Sequence, residues 1–222
     1  METRTDRETV KSSNPSPLKI LLCGFNPFAN LTVNSSEAIV REIEKRWKPH
    51  SAAILITDIL PTEYQAAEDR IRDLIRQLKP DVVLCLGVAE SRSEISLERI
   101  ALNWDDENAP DNAGDVRLAQ QITEGPPAYW STLPLNEIQD VLQKHGVPVS
   151  FSNHAGTYVC NHVFYSARDE VQRLQLDARC GLIHVPAIAN QKSWTRRGPG
   201  LPLEMMVAAI ESCLRVIVSP AN

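Results

Sequence analysis

The 222-residue chain has no run of lysine and arginine, and its formal net charge is −5. Nucleic acids and anionic membrane surfaces are recognised through basic patches, so neither is an expected partner. No apolar stretch approaches the ~20 residues needed to cross a bilayer; Val82-Val83-Leu84-Cys85-Leu86 is typical of the longest. The polar stretch Met1–Ser16 lacks the apolar core of a secretory signal and reads as a disordered lead-in. The expected compartment is therefore the cytoplasm, and the folded part is expected over 17–222. There is no CxxC pair, and the five cysteines (Cys23, Cys85, Cys160, Cys180 and Cys213) are odd in number. Neither a disulfide framework nor a zinc site is indicated, and no metal or organic cofactor is expected. Cys23, Cys85 and Cys180 sit in or beside apolar runs, and Cys213 lies on a helical face with Ile210 and Leu214. All four read as buried small hydrophobes.

What the sequence does contain is an alternation of strand and helix. Leu18–Leu22 is a short apolar run ending at Gly24 and reads as a buried strand. Asn34 followed by Glu37 has the spacing of a capping box, and Ala38, Ile39 and Ile43 recur at helical intervals up to a stop at Pro49. Ala53–Leu60 reads as a strand. Pro61 and Thr62 open a helix whose apolar face is Ala67, Ile71, Leu74, Ile75 and Leu78. Strands follow at Val82–Gly87 and Ile95–Asn103. Trp104–Trp130, rich in Asp, Asn, Gly and Pro, reads as a long loop, and loops of that length are commonly functional. The remainder reads as a helix (Pro134–Lys144), a strand (Val147–Ser152), a helix beginning near Cys160, a strand (Cys180–Val185) and a helix (Pro202–Ile217). Repeated βα units, with no internal repeat, low-complexity tract or linker, imply one three-layer α/β/α domain around a mainly parallel, mixed sheet.

Ligands of such sheets bind at the carboxyl ends of the strands. Cys160 is expected there, at the start of a helix, where the positive end of the macrodipole favours a thiolate nucleophile. His184, at the end of a strand, can act as its base. Glu98 shares strand parity with Ile100 and Leu102, so it faces a partly apolar side. A carboxylate there needs a partner, and orienting an imidazole would supply one. By residue type alone the trio reads more readily as a buried thiol, a hydrogen-bonded histidine and a surface glutamate.

Six segments narrow the choice. Gly24-Phe25-Asn26-Pro27-Phe28, Ile95–Asn103 (ISLERIALN), Pro110–Gly114 (PDNAG), Gly125–Pro134 (GPPAYWSTLP), Ala155–His162 (AGTYVCNH) and Ile183–Pro186 (IHVP) resemble, in order and spacing, the signatures of the type I pyroglutamyl peptidases. The resemblance runs from about Leu18 to Gln191. It implies a Cys-His-Glu triad of Cys160, His184 and Glu98, and hydrolysis of the amide bond after an N-terminal pyroglutamyl residue. The expected partners are peptides that begin with that residue. It also implies that Phe25 and Phe28 sandwich the lactam, with Asn34, Tyr158 and Arg92 near the ligand. Two phenylalanines after a strand would otherwise read as core, and Asn34 as an N-cap. Relatives assemble as homo-oligomers, so a dimer or tetramer is expected.

The chain departs from the pattern in four places. Ala29 and Asn30 replace two glycines, which restricts the loop because glycine alone enters positive φ freely. Glu90-Ser91-Arg92 replaces a Gly-Gly-Arg turn. Asn108 stands where relatives carry an arginine linked to the oxyanion. Ala187–Gln191 replaces a segment with an aromatic residue and a Pro-Glu pair. Two other readings are a cysteine amidohydrolase acting on a different small acyl or lactam group, and a catalytically weak binding homologue.

Overall fold

The apolar run that begins at Leu18 is hydrophobic on both of its faces, and both faces are covered. In the computed structural model, which describes residues 16–29, 31–48, 53–189 and 200–219, it forms strand β1 (Leu18–Phe25). Ile20 and Leu22 point into one apolar cluster, while Leu21 and Cys23 point into another on the opposite side. This follows from the period-2 alternation of a strand sandwiched between two helical layers.

The elements then run α1 (Ser35–Arg46), β2 (Ala53–Leu60), α2 (Tyr64–Leu78), β3 (Val82–Val88), β4 (Ile95–Leu102), β5 (Asp105–Glu107), β6 (Arg117–Gln120), β7 (Ala128–Trp130), α3 (Leu135–Lys144), β8 (Val149–His154), α4 (Val159–Arg173), β9 (Arg179–Val185) and α5 (Leu203–Val218). Strands β2, β1, β3 and β9 are adjacent and parallel. Strand β4 runs antiparallel to β9, pairs in parallel with β8, and pairs antiparallel with β7 over its last residues. The sheet is therefore mixed and mainly parallel. One face carries α1, α3 and α5 and the other α2 and α4, giving three layers in a single domain. Among the described residues, no helix is long and apolar enough to cross a membrane. Cys23, Cys85, Cys180 and Cys213 are free and buried.

Several local readings shift. The stretch 104–130 is not one loop, since it holds the hairpin β5–β6 and the strand β7. These strands are three or four residues long, and β6 is largely exposed, so no hydrophobic alternation announces them. We call residues 103–127 the arm. Helix α2 begins at Tyr64 rather than Pro61, because Thr62 is held elsewhere: its N–H donates to Asn26 Oδ1 (2.7 Å) and its hydroxyl to Asn26 O (2.9 Å). The first turn of α2 is capped from a distance, with Tyr64 N donating to Asp111 Oδ2 at 2.8 Å. Helix α1 ends at Arg46. The stop expected at Pro49, the substitutions at Asn30, Asn190 and Gln191, and the lead-in before Ser16 lie outside the described residues.

At the start of α1, Asn34 is the N-cap, its Oδ1 accepting from Ser36 N at 2.9 Å. Glu37 does not close a capping box but pairs with Arg41 (2.9 Å). Ser36 Oγ accepts from Phe25 N (3.0 Å), which fastens the end of β1 to the helix. Gly24 allows this approach, since a Cβ there would lie 2.8 Å from Ser36 O.

Candidate active site

The carboxyl ends of β1, β3 and β9 lie side by side, and the residues expected to matter converge there. In the β3–β9 register Gly87 stands beside His184, and on the other flank Ser96 of β4 stands opposite the same histidine. Two residues further along β4 is Glu98, whose side chain is fully buried. Its Oε1 lies 2.7 Å from His184 Nδ1 and also accepts from Arg92 Nη1 at 2.7 Å. Burial works against ionisation of Glu98, but the bond to His184 and the charge of Arg92 outweigh it, and its pKa is lowered. An ionised carboxylate only accepts, so Nδ1 carries the proton of that bond and the other nitrogen, Nε2, faces away from Glu98.

Nε2 faces the thiol. Cys160 is the second residue of α4 and is partly exposed. A Cβ on Gly87 would meet His184 Nε2 at 2.7 Å and Cys160 Sγ at 2.9 Å, so both atoms crowd the space left by the missing side chain. Burial alone would push the His184 pKa down. Hydrogen bonding by Cys160 and Glu98 more than reverses this and holds it at about 9. The imidazole is thus protonated at neutral pH.

A cavity of about 210 Å³ opens over these groups. It is small beside the ~300–1,000 Å³ of drug-sized sites and suits a single ring. Phe25, Phe28, Asn34, Tyr158 and Arg92 all line it, together with Cys160 and His184. Phe28 and Tyr158 lean together with centroids 6.1 Å apart, and Tyr158 Oη donates to Pro110 O of the arm (2.9 Å). Asn34 is both N-cap and wall, its Nδ2 donating to Asn26 O (3.1 Å). Arg92 has a further task beyond lining the cavity, because it shares Glu98 Oε1 with the imidazole.

Residue-by-residue reading missed Thr62, Val88, Ala89, Ser91, Ala155 and Gly156 in the wall, and Gly87 beneath the thiol. It also missed what the Pro110–Gly114 segment does mechanically. Asp111 caps α2, and Asn112 Nδ2 donates to Pro27 O (2.9 Å) in the loop after β1. The strand–Gly signal at Gly87 could have been found; the cap from Asp111 had no local signal. Asn108 lies on an exposed bend after β5. Ala29 sits at φ 50°, the left-handed region that glycine enters without strain and alanine does not.

A thiol at a helix start, met by an imidazole that is braced by a buried carboxylate, defines a cysteine-type hydrolase on an α/β/α scaffold. The model of the pyroglutamyl peptidase family matches residues 18–219. The chain is 37% identical to pyrrolidone-carboxylate peptidase 1 of Caldanaerobacter subterraneus subsp. tengcongensis, over 90% of its own length and 98% of that protein. Its fold is similar to the crystal structure of pyroglutamyl peptidase I from Bacillus amyloliquefaciens, with a TM-score of 0.83, 34% identity, and coverage of 90% of this chain and 97% of that one. A variant of pyrrolidone carboxyl peptidase from Pyrococcus furiosus gives a TM-score of 0.85 at 32% identity, covering 90% and 98%. The chain belongs to the pyroglutamyl peptidase family.

Proposed function

We propose that the protein hydrolyses the amide bond that follows an N-terminal pyroglutamyl residue, releasing 5-oxoproline. In this reading Cys160 is the nucleophile, His184 the acid–base and Glu98 the group that orients and charges the imidazole. The observation that carries it is the junction over Gly87, where Cys160 Sγ and His184 Nε2 meet at the floor of a ring-sized cavity.

The lactam ring of the substrate lies between Phe25 and Phe28 with Tyr158 closing the wall. Backbone groups at the strand ends serve its single N–H and ring carbonyl. The sulfur attacks the scissile carbonyl carbon while the thiol proton resides on His184 Nε2. The N-cap residue Tyr158 contributes no side-chain cap, so amide hydrogens of the first turn of α4 are available to the oxyanion. One such donor is commonly worth ~3–4 kcal/mol. Collapse of the tetrahedral adduct expels the amine, which takes the proton from His184. Water, deprotonated by the same nitrogen, then cleaves the thioester. Imidazole that keeps its proton up to about pH 9 is suited to protonating a leaving amine.

The test is turnover of pyroglutamyl 4-nitroanilide beside the prolyl and glutamyl analogues, with and without prior treatment by iodoacetamide. Rapid, alkylation-sensitive release from the pyroglutamyl compound alone supports the proposal; equal or faster release from another amide overturns it. The cytoplasm is the compartment that fits five free cysteines, one of them reactive, because thiols stay reduced there. Cell fractionation that places the protein in an oxidising compartment contradicts this. Assembly as a dimer or tetramer belongs to the same proposal and is read by light scattering, where a monomer contradicts it.

A further inference from the structure

His162 stands two residues beyond Cys160, in the first turn of α4, and the mechanism above makes no use of it. Residues two apart on a helix do not share a face, and His162 turns away from the thiol. Its ring is fully buried, with Nδ1 2.8 Å from Asp105 Oδ2 and Nε2 3.1 Å from Glu68 Oε2. Two carboxylates therefore hold one imidazole from two different elements, β5 in the arm and α2 in the helical layer.

Burial works against charge on this imidazole, but the hydrogen bonds to Asp105 and Glu68 outweigh it and its pKa is raised. The carboxylates have further cations. Glu68 also takes Arg72 Nε (2.8 Å), and Asp105 Oδ2 takes Arg117 Nη1 (3.2 Å). Against the burial that would raise it, His162 and Arg72 hold the Glu68 carboxyl down at about 2.

The same turn makes three other attachments to the base of the arm. Thr157 exchanges two hydrogen bonds with Asp106, its hydroxyl donating at 2.7 Å and its carbonyl accepting at 3.1 Å. Tyr158 donates to Pro110 O. Asn161 accepts from Leu102 N and donates to Leu102 O and Trp104 O (2.9, 2.9 and 3.1 Å). Tyr64 bridges His162 and Tyr158, edge-on to both the imidazole (5.4 Å) and the Tyr158 ring (5.5 Å). Tyr158, a wall of the cavity, is rooted at the start of α4 while its hydroxyl is tied to Pro110 O of the arm, so the seat of the arm on α4 sets the angle of its ring.

We propose that His162 is a positioning residue for substrate binding: clamped between Asp105 and Glu68, it locks the arm to α4 and so fixes Tyr158 against the lactam cavity. The inference rests on the functional reading above. The Asp105 contact is the one that reaches the arm, so it carries the effect, whereas the Glu68 contact joins only α4 to α2.

Two amides separate these contacts. In His162→Asn the side-chain N–H₂ stands near the place of Nδ1 and still reaches Asp105. In His162→Gln it stands near the place of Nε2 and reaches Glu68. Cys160 alkylation by iodoacetamide reports thiol reactivity, and its protection by 2-pyrrolidinone reports cavity binding. The Gln variant is expected to bind 2-pyrrolidinone about tenfold more weakly than wild type, as for loss of one charge-assisted bond. The Asn variant stays within about threefold of wild type. The unprotected alkylation rate stays within about twofold in both, and KM rises in the Gln variant while kcat holds. Equal weakening in the two variants, or none in either, overturns the inference, since a merely structural imidazole would not distinguish them. A wild-type thiol that 2-pyrrolidinone fails to protect overturns the functional reading and this inference with it. His162→Phe removes a donor from both carboxylates at once, so its stability alone decides nothing, and the Asn and Gln pair keeps the question answerable.

Discussion

Gly87→Ala places one methyl group where Cys160 Sγ and His184 Nε2 meet. Gly87 lies in strand β3 and is not among the residues with positive φ, so the backbone accepts alanine. The obstacle is space. An ideal Cβ falls 2.7 Å from His184 Cδ2 and Nε2 and 2.9 Å from Cys160 Sγ. Ordinary van der Waals contact begins near ~3.5 Å, so the pair must retreat by about 0.6–0.8 Å. The imidazole has little freedom to do so, because its Nδ1 is held at 2.7 Å by a fully buried carboxylate. The separation therefore falls largely on the thiol, and proton exchange between sulfur and Nε2 is impaired. Positioned general acid–base catalysis contributes ~10²–10⁴-fold, so a loss in kcat of about 100-fold is expected. KM for a pyroglutamyl amide changes little, since Gly87 is beneath the thiol and not in the cavity wall. Overpacking costs about 1–3 kcal/mol and replacement of a strand glycine returns about 0.5–1, leaving a net loss of roughly 1–2 kcal/mol. Steady-state turnover of pyroglutamyl 4-nitroanilide, iodoacetamide alkylation and urea unfolding measure the three effects. A folded variant with kcat within about threefold of wild type would mean that thiol and imidazole do not meet over this residue.

Other perturbations act on the supports of the site. Arg92→Met removes a cation that favours ionised Glu98, so the Glu98 pKa rises and the acidic limb of the kcat/KM profile moves to higher pH. An accompanying fall in kcat of about tenfold is expected, and an unmoved limb speaks against the Arg92–Glu98 pairing. Ala29→Gly relieves a left-handed alanine at ~1–2 kcal/mol and gives back ~0.4–1 through the unfolded chain, for a net gain near ~0.5–1 kcal/mol in urea unfolding. A loss of stability contradicts the strain. His184 has a folded pKa of about 9 against an ordinary 6.5. Its partners therefore contribute stability that is fully present below about pH 6.5 and lost as pH rises through about 9. The stability difference between wild type and His184→Asn shrinks over that range in thermal melts, and a difference that grows has the wrong sign.

How much of this was legible in the sequence depends on distance along the chain. The strand at Leu18 and the helical face Ala67–Ile71–Leu74–Ile75 declare themselves through local periodicity, and their packing into opposite layers follows. The arm does not, because β5 and β6 are short and polar and exist only through pairing with each other and anchoring to Asn161, Thr157 and His162. Cys160, His184 and Glu98 were reachable as chemical types, and the family resemblance singled them out from equally plausible buried residues. What no local pattern could show is shared contact. Arg92 and His184 take one oxygen of Glu98, Asp111 caps a helix 47 residues away, and Gly87 leaves room for two groups brought by other elements. The constraint on the loop at Ala29 was legible through the family resemblance, and the structure adds that the alanine itself adopts the left-handed turn.

On the proposed mechanism the sulfur of Cys160 becomes acylated by the pyroglutamyl group. Acid quenching of wild-type protein within its first turnovers of pyroglutamyl 4-nitroanilide, followed by proteolysis and mass spectrometry, reads this directly. A pyroglutamyl adduct is expected on the peptide that carries Cys160, absent in Cys160→Ala together with turnover. Turnover that persists in Cys160→Ala, or an adduct on any other residue, would contradict it.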